Sequence, residues 1–391
     1  MVILDTLLRL MPAVDDTVTS SSIMRGFGYA METHFVTTQD GYRLCLERAA
    51  NPGRQPVFVA HGMQTGSPAF VMLGRGKALV PMLHDAGFDV WMINFRGTHY
   101  SQGHNKYSTQ DEEFWNFSWH EHGVFDNPAA IDYVLARTRF PSVMYAGHSM
   151  GSTSFMVMAA VRPEYQRKVR AAFLLAPAGP LHRHTSPVVG LLYALNNVTQ
   201  PLVETLGLRR TMLPTYRVLR RAIKLLLPVA RPFLYMFTYA IVGYKHNESY
   251  YETPHFWDTI PSGGSWGEVF HYVQNANYDS QGFRQYDHGP KRNRELYGTP
   301  EPPQYNLTAI RTPVYIYLAK NDILCQKEDM LYVQSRLPNV VGVHVDEDDT
   351  FNHIDFFASP TVSGRMNSRI VADMLRHSAE FADKDNKITS S

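Results

Sequence analysis

Three things are scarce in this 391-residue sequence: cysteine, net charge and long apolar runs. The two cysteines, Cys45 and Cys325, exclude a disulfide framework and any zinc-type cysteine spacing. They can bridge to each other only if the fold brings their Cα atoms within about 7 Å, and two free, buried thiols are expected instead. Thirty-seven basic side chains face thirty-six acidic ones, for a formal charge of +1. That balance leaves no basic field for nucleic acid or an anionic membrane, and no acidic tail. The longest apolar stretch, Pro232 to Tyr244, falls well short of the roughly 20 residues a transmembrane helix needs. The opening MVILDTLLRLMPAVDD is broken by Asp5 and Arg9, so no signal peptide is read there. No internal repeat or low-complexity tract stands out.

Apolar mass is plentiful. Hydrophobic residues make up 44% and aromatics 12%, enough for a substantial core. The length suits two or three domains, or one large domain carrying an insertion. Short β-branched and apolar runs bounded by turn residues predict strands at His34–Thr38, Tyr42–Glu47, Val57–His61, Asp89–Asn94, Val143–Gly147, Ala172–Ala176, Val314–Leu318 and Val340–Val345. The middle runs (VFVAH, DVWMIN, VMYAG, AFLLA) are nearly continuous in apolar residues, as in strands buried on both faces of a parallel sheet. Gly74–Ala86, Asn127–Arg137, Ser152–Val161 and Lys327–Arg336 carry apolar residues at helical spacing. The alternation predicts a doubly wound α/β architecture, its first two strands forming an antiparallel hairpin around Gln39-Asp40-Gly41. Between Gly179 and Arg311 the rhythm breaks. Leucine-rich segments such as Ile223–Leu227 and Phe233–Val242 replace the strands, which reads as a helical cap over one edge of the sheet.

Gly147-His148-Ser149-Met150-Gly151 is a G-x-S-x-G pentapeptide between a predicted buried strand and a predicted helix. That is the setting of a nucleophile elbow, where a tight turn lifts the serine hydroxyl above the sheet and flanking side chains would clash. A hydroxyl needs a base, and the base needs a third group to orient it. On such a sheet the chain order is serine, acid, histidine. Asp322 follows the strand candidate Val314–Leu318, and His353 follows the last one. The run Asp346, Glu347, Asp348 and Asp349 competes as the acid but reads as a solvated loop, and Asp355 reads as structural. Two donors are needed for the oxyanion: the backbone N–H of Met150 and, from the loop His61-Gly62-Met63-Gln64, the N–H of Met63. As main-chain donors, both are expected to tolerate side-chain exchange. His61 is expected to shape that loop.

Taken together, Thr38–Tyr42, Val59–Gly62, Asp85–Met92, Asn94–Gly97, Glu113–Trp115, Phe117–Trp119, Gly147–Gly151, Arg162–Tyr165 and Asn352–Phe356 resemble the acid lipase family of lysosomal and gastric lipases, and within it the insect branch. Tyr286-Asp287, Tyr297-Gly298 and Pro302–Tyr305 in the cap are similar too, and the resemblance spans about Gly26 to Phe381. It implies an α/β-hydrolase fold: a mostly parallel eight-stranded sheet with an inserted helical lid, divided as core 26–178, cap 179–311 and core 312–384. It also implies hydrolysis of neutral lipid esters (triacylglycerol or sterol ester) by Ser149, Asp322 and His353, without cofactor or metal. Transient contact with a lipid interface and a secreted or lysosomal location follow from the same resemblance. The sequence departs from the family in three places. Met150 stands where glutamine is common, Ile323 where a tryptophan usually follows the aspartate, and the cap cysteines are missing. The residues leave open a small-ester or thioester hydrolase on the same three side chains, or a silent lipid-binding protein of the same fold. Sequons occur at Asn116, Asn197, Asn247 and Asn306. Asn116, set among aromatics, is expected to be hidden.

Overall fold

The computed structural model describes residues 18–206, 229, 232–245, 253–277 and 282–389. The opening segment read for a signal, the leucine-rich Ile223–Leu227 and the sequon at Asn247 lie outside the described residues.

Nine strands form one sheet: β1 (Met31–Thr37), β2 (Tyr42–Ala49), β3 (Pro56–Ala60), β4 (Asp89–Asn94), β5 (Gly103–His104), β6 (Val143–His148), β7 (Val169–Leu175), β8 (Val314–Ala319) and β9 (Val340–Asp346). Their spatial order is β1-β2-β4-β3-β6-β7-β8-β9, with β5 beside β2. Every pair from β4 to β9 along that path is parallel. The β1–β2 hairpin and the β2–β4 and β2–β5 pairs are antiparallel. The eight strands expected from the sequence are all present. The ninth, β5, is two residues long and carries no apolar signal.

The longer helices with both ends among the described residues include α1 (Ser20–Gly26), α2 (Leu79–Asp85), α3 (Asn127–Thr138), α4 (Met150–Val161), α5 (Pro187–Thr205), α6 (Trp266–Asn277), α7 (Pro290–Tyr297), α8 (Lys327–Arg336) and α9 (Ser368–Thr389). Helix α2 starts five residues later than its apolar spacing suggests. Pro81 accounts for this, because its ring and missing N–H are tolerated in a first turn and not in a helix interior. All residues of β3, β4, β6 and β8 are buried, and successive side chains feed opposite layers. Phe58, Trp91 and Tyr145 pack with Ile131 and Val134 of α3 and Phe155 of α4. Val57, Val90 and Met144 pack with Leu79 and Leu83 of α2 and Ile370 of α9. Both cysteines are buried free thiols.

Between β7 and β8 the described residues form α5, a helical stretch over 232–242, α6 and α7, with an isolated bridge between Arg284 and Gln304. No described helix is long and apolar enough to cross a membrane. Two surface expectations change. Asn116 is exposed although Phe114, Trp115 and Phe117 beside it are buried, because it caps the short 3-10 helix Glu112–Trp115, where the chain turns away from the core. Asp346 is buried and paired with Arg365 at 3.1 Å, so the acidic run is only partly solvated.

A buried polar strut ties α6 to the sheet. Arg96, following β4, is held by Asp126 at 2.6 Å and by Asp40 at 2.6 Å. His122 lies 3.2 Å from Asp126 through Nδ1 and 2.8 Å from Glu268 of α6 through Nε2. Burial, with the nearby Arg96 and His61, pushes the His122 imidazole well below its ordinary range. Burial, reinforced by the Asp126 carboxylate, holds the Glu268 carboxyl well above its own. The consistent arrangement is therefore a neutral imidazole that donates through Nδ1 to Asp126 and accepts at Nε2 from the Glu268 carboxylic acid.

Two outcomes follow. A raised folded-state carboxyl contributes stability that is fully present below the unfolded pKa of about 4.3 and is lost as pH climbs through the raised value. Glu268→Gln keeps a donor for His122 but does not titrate. Its melting temperature relative to wild type should rise by roughly 2 °C or more between about pH 5 and about pH 8.5, measured by thermal denaturation. A constant difference would mean that Glu268 is not protonated in the fold. In α4, a Cβ on Gly151 would come within 2.7 Å of the Ala60 carbonyl carbon in β3, whereas one on Gly26 would meet open space. Gly151→Ala should lose ~3 kcal/mol or more in chemical denaturation, and Gly26→Ala should stay within about 1 kcal/mol of wild type.

Candidate active site

The elbow is built by a close backbone approach. Strand β6 runs out at His148, and Ser149 adopts φ 53 and ψ −116 immediately before α4. This left-handed conformation is strained for a non-glycine residue and persists only when its surroundings over-determine it. Here the Ser149 N–H donates to the Leu175 carbonyl at 2.9 Å, and the Ser152 hydroxyl donates to the Gly147 carbonyl at 2.6 Å. A Cβ at Gly147 would lie 2.6 Å from the Gly151 carbonyl carbon, so each flank of the serine needs a bare backbone.

The acid arrives on the loop after β8. Asp322 is 1% exposed, and its Oδ1 accepts from the backbone N–H groups of Leu324 at 3.0 Å and Cys325 at 2.8 Å. Those two donors fix the carboxylate so that Oδ2 meets His353 Nδ1 at 2.7 Å. His353, on the loop after β9, presents Nε2 to Ser149 Oγ at 2.8 Å. The three side chains named from the sequence are thus brought together, from positions as much as 204 residues apart. All three are buried, with Ser149 the most open at 7%.

The oxyanion loop is set by hydrogen bonds to one carbonyl. Gly62 C=O accepts from Thr65 Oγ1 at 2.9 Å, from His61 Nδ1 at 2.8 Å and, longer, from Thr65 N–H at 3.4 Å. In a trans peptide the N–H opposes the C=O, so locking this carbonyl turns the Met63 N–H to the other side. Gly62 itself abuts the elbow: a Cβ there would lie 3.2 Å from Ser149 Cβ. His61 Nε2 accepts from the Phe95 N–H at 3.0 Å, and burial takes its imidazole down to about 4. It is therefore a neutral strut for the loop. Met150 begins α4, so its N–H is among the helix N-terminal donors without an intrahelical acceptor. Its side chain, however, is 2% exposed and part of the central core, which corrects the expectation that position 150 tolerates exchange. Met63 is only partly buried.

Sequence reasoning missed His148. Its Nε2 donates to the main-chain carbonyl of His353 at 3.0 Å, and its ring lies 5.0 Å from that of His353. Burial and the neighbouring His353 keep it neutral, well below the ordinary histidine range. A histidine inside the pentapeptide was visible, but its partner, across 205 residues, was not. Among the described residues one group could collect a metal ion: Asp322, Cys325 and His353, with one ligand atom each within 4.8 Å of one another. Two of those three already hydrogen bond to each other.

The comparisons with known proteins agree with this architecture. Residues 20–74 match the partial α/β-hydrolase lipase region, and residues 55–202 match the α/β-hydrolase fold. The chain is 34% identical to Lipase 1 of Drosophila melanogaster over 353 residues, 88% of this chain and 76% of that one. It is 35% identical to Lipase 3 of the same species over 340 residues, 84% of this chain and 86% of the relative. Human gastric triacylglycerol lipase is 28% identical over 359 residues, covering 87% of this chain and 86% of the relative. The crystal structure of a bacterial membrane phospholipase A shares the fold, with a TM-score of 0.50 at 13% identity over 95% of this chain and 92% of that one. The chain belongs to the acid lipase family of the α/β-hydrolases, a family of carboxylic ester hydrolases.

Proposed function

We propose that this protein hydrolyses the carboxylic esters of neutral lipids, triacylglycerol or sterol ester, through an acyl-enzyme formed on Ser149. The observation that carries the reading is the unbroken chain of 2.8 and 2.7 Å contacts from hydroxyl to imidazole to carboxylate. His353 Nε2 takes the Ser149 proton as Oγ attacks the ester carbonyl, and Asp322 stabilises the imidazolium through Nδ1–H. The oxyanion is held by the N–H groups of Met63 and Met150. Collapse expels the alcohol, which leaves with the proton from His353. Water, deprotonated by the same imidazole, then releases the fatty acid and restores the serine. No cofactor enters this cycle.

The surroundings favour an apolar substrate. Leu234, Tyr235 and Tyr239 of the 232–242 helix and Ile354 all pack against one apolar cluster that holds Phe256 and Phe357, close in sequence to His353. Leu191, Leu195, Val198 and Leu202 form an exposed stripe at helical spacing along α5, and Phe233, Met236 and Phe237 are exposed on 232–242. These surfaces support transient contact with a lipid interface, and the division into core 26–178, cap 179–311 and core 312–384 belongs to the same reading. So does a secreted or lysosomal setting, in which Asn116, Asn197 and Asn306 are exposed for glycosylation.

The test is turnover of p-nitrophenyl esters of short and long acyl chains and of emulsified trioleoylglycerol by the purified chain. Long-chain esters should be cleaved, Ser149 should be labelled by a fluorophosphonate, and Ser149→Ala should lose at least about 10⁴-fold in kcat. Exclusive cleavage of short esters or thioesters would replace the lipid reading. A folded protein that neither turns over nor labels would sink the catalytic one.

A further inference from the structure

The three residues that follow the 232–242 helix touch both loops that carry the candidate acid and base. Gly243 has φ +111, and its carbonyl accepts from Asn352 Nδ2 at 2.9 Å. A Cβ there would run into the main-chain carbonyl of Asn321, so the segment lies flat against the acid loop. The Tyr244 carbonyl accepts from the Asn321 side-chain amide. Lys245 Nζ forms an ion pair with Asp355 Oδ1, the lysine 4% exposed and the aspartate fully buried. The other oxygen of Asp355 accepts from the Asn352 N–H at 2.7 Å. Asn321 directly precedes Asp322, while Asn352 and Asp355 bracket His353.

We infer that Gly243–Lys245 is a clamp from the cap that holds the acid and base loops in register, and that Lys245 is a positioning residue for His353 acting through Asp355. The inference rests on the reading of Ser149, His353 and Asp322 as the reacting triad. Its electrostatic half follows from placement. Asp355 is a second carboxylate two residues from the base, and a buried carboxylate without a counter-ion raises the pKa of a nearby imidazole. Lys245 cancels that charge, which leaves Asp322 as the carboxylate that orients His353. Among the described residues, three other titratable groups lie near the base. His148 is held uncharged by burial, the Cys325 thiol is pushed well above its ordinary range by burial, and Tyr239 on the 232–242 helix is raised by burial with Asp355 contributing. Nothing in the local sequence marks Lys245, because its partner lies 110 residues away.

The test compares wild type, Lys245→Met, Asp355→Asn and the double variant in the full chain, with p-nitrophenyl butyrate as substrate across about pH 4 to 9. The acid limb of kcat/KM reports the base in the free enzyme. Lys245→Met should lower kcat roughly 10- to 100-fold with KM within about threefold, and should move the acid limb up by about half a pH unit or more. Asp355→Asn, which removes the carboxylate facing Lys245, should move it down, and the double variant should return it close to wild type. If Lys245→Met does not fold, the downward shift in Asp355→Asn decides. Unmoved acid limbs, or losses that follow melting temperature alone, would overturn the clamp. A wild-type chain that neither turns over nor labels at Ser149 would instead overturn the reading beneath it.

Discussion

The site depends on how closely α4 lies against β3. Gly151 rests on the Ala60 carbonyl with no room for a Cβ, and that contact sets the height at which the helix begins. Because α4 begins there, Ser149 must turn through a left-handed conformation, and its hydroxyl rises beside donors that no helical carbonyl satisfies. Such a conformation costs of order 1–3 kcal/mol in a non-glycine residue. The fold offsets this with a continuous interior: every residue of α4 from Met150 to Ala159 is buried, and the neighbouring strand carbonyl at Leu175 accepts the Ser149 N–H. Strain at Ser149 and packing of the core are one feature seen from two sides. This also explains why Met150 matters for its side chain, since the residue that supplies a main-chain donor is itself part of that packing.

Burial decides which histidines titrate. His61, His122 and His148 are each enclosed and pushed below the ordinary range, and each serves as a fixed pair of one donor and one acceptor, or as a donor alone. His61 sets the loop after β3, His122 joins Glu268 of α6 to Asp126, and His148 holds the His353 main chain. A charged imidazole at His61 or His122 would lose an acceptor that the structure uses. His353 differs in lying between a hydroxyl and a carboxylate, the arrangement in which a ring can take up a proton and be stabilised while it holds it. The neutral histidines therefore act as rigid scaffolding around Ser149 and His353.

What was legible in the sequence was what is local in the chain. The strands announced themselves by apolar continuity, because both faces of the sheet are covered. The elbow announced itself by two glycines spaced around a serine between a strand and a helix. Asp322 and His353 were found by position after a strand, since loops at that edge of a parallel sheet converge. The parts that escaped are pairings across the chain between residues with no local reason to be there. Glu268 reads as an ordinary helix-surface glutamate until His122 is seen beside it, and Lys245 reads as a solvent lysine until Asp355 is. Asn116 was misjudged for the opposite reason, because burial of neighbours says little about a side chain that points the other way. Burial of Asp346 was likewise set by Arg365, nineteen residues on.

The cap therefore has two kinds of surface that constrain how a lipid can enter. Exposed apolar side chains concentrate on α5 and the 232–242 helix, whereas the polar anchors, Glu268 to His122 and Lys245 to Asp355, are buried on α6 and just after the 232–242 helix. Breaking the buried Lys245–Asp355 ion pair costs about 3–5 kcal/mol, because the charge left behind has no water to replace its partner, and parting Glu268 from His122 leaves buried hydrogen-bonding groups unmet at about 1–3 kcal/mol. Sliding an apolar helix from protein onto a lipid surface carries no such penalty, since its side chains exchange one apolar contact for another. An opening that admits a long acyl chain is thus cheapest when α5 and 232–242 shift while both anchors hold. The Lys245 anchor sits beside Gly243 and Tyr244, which are bonded to Asn352 and Asn321, so under the proposed function a movement of that kind would leave the loops of Asp322 and His353 tied in place.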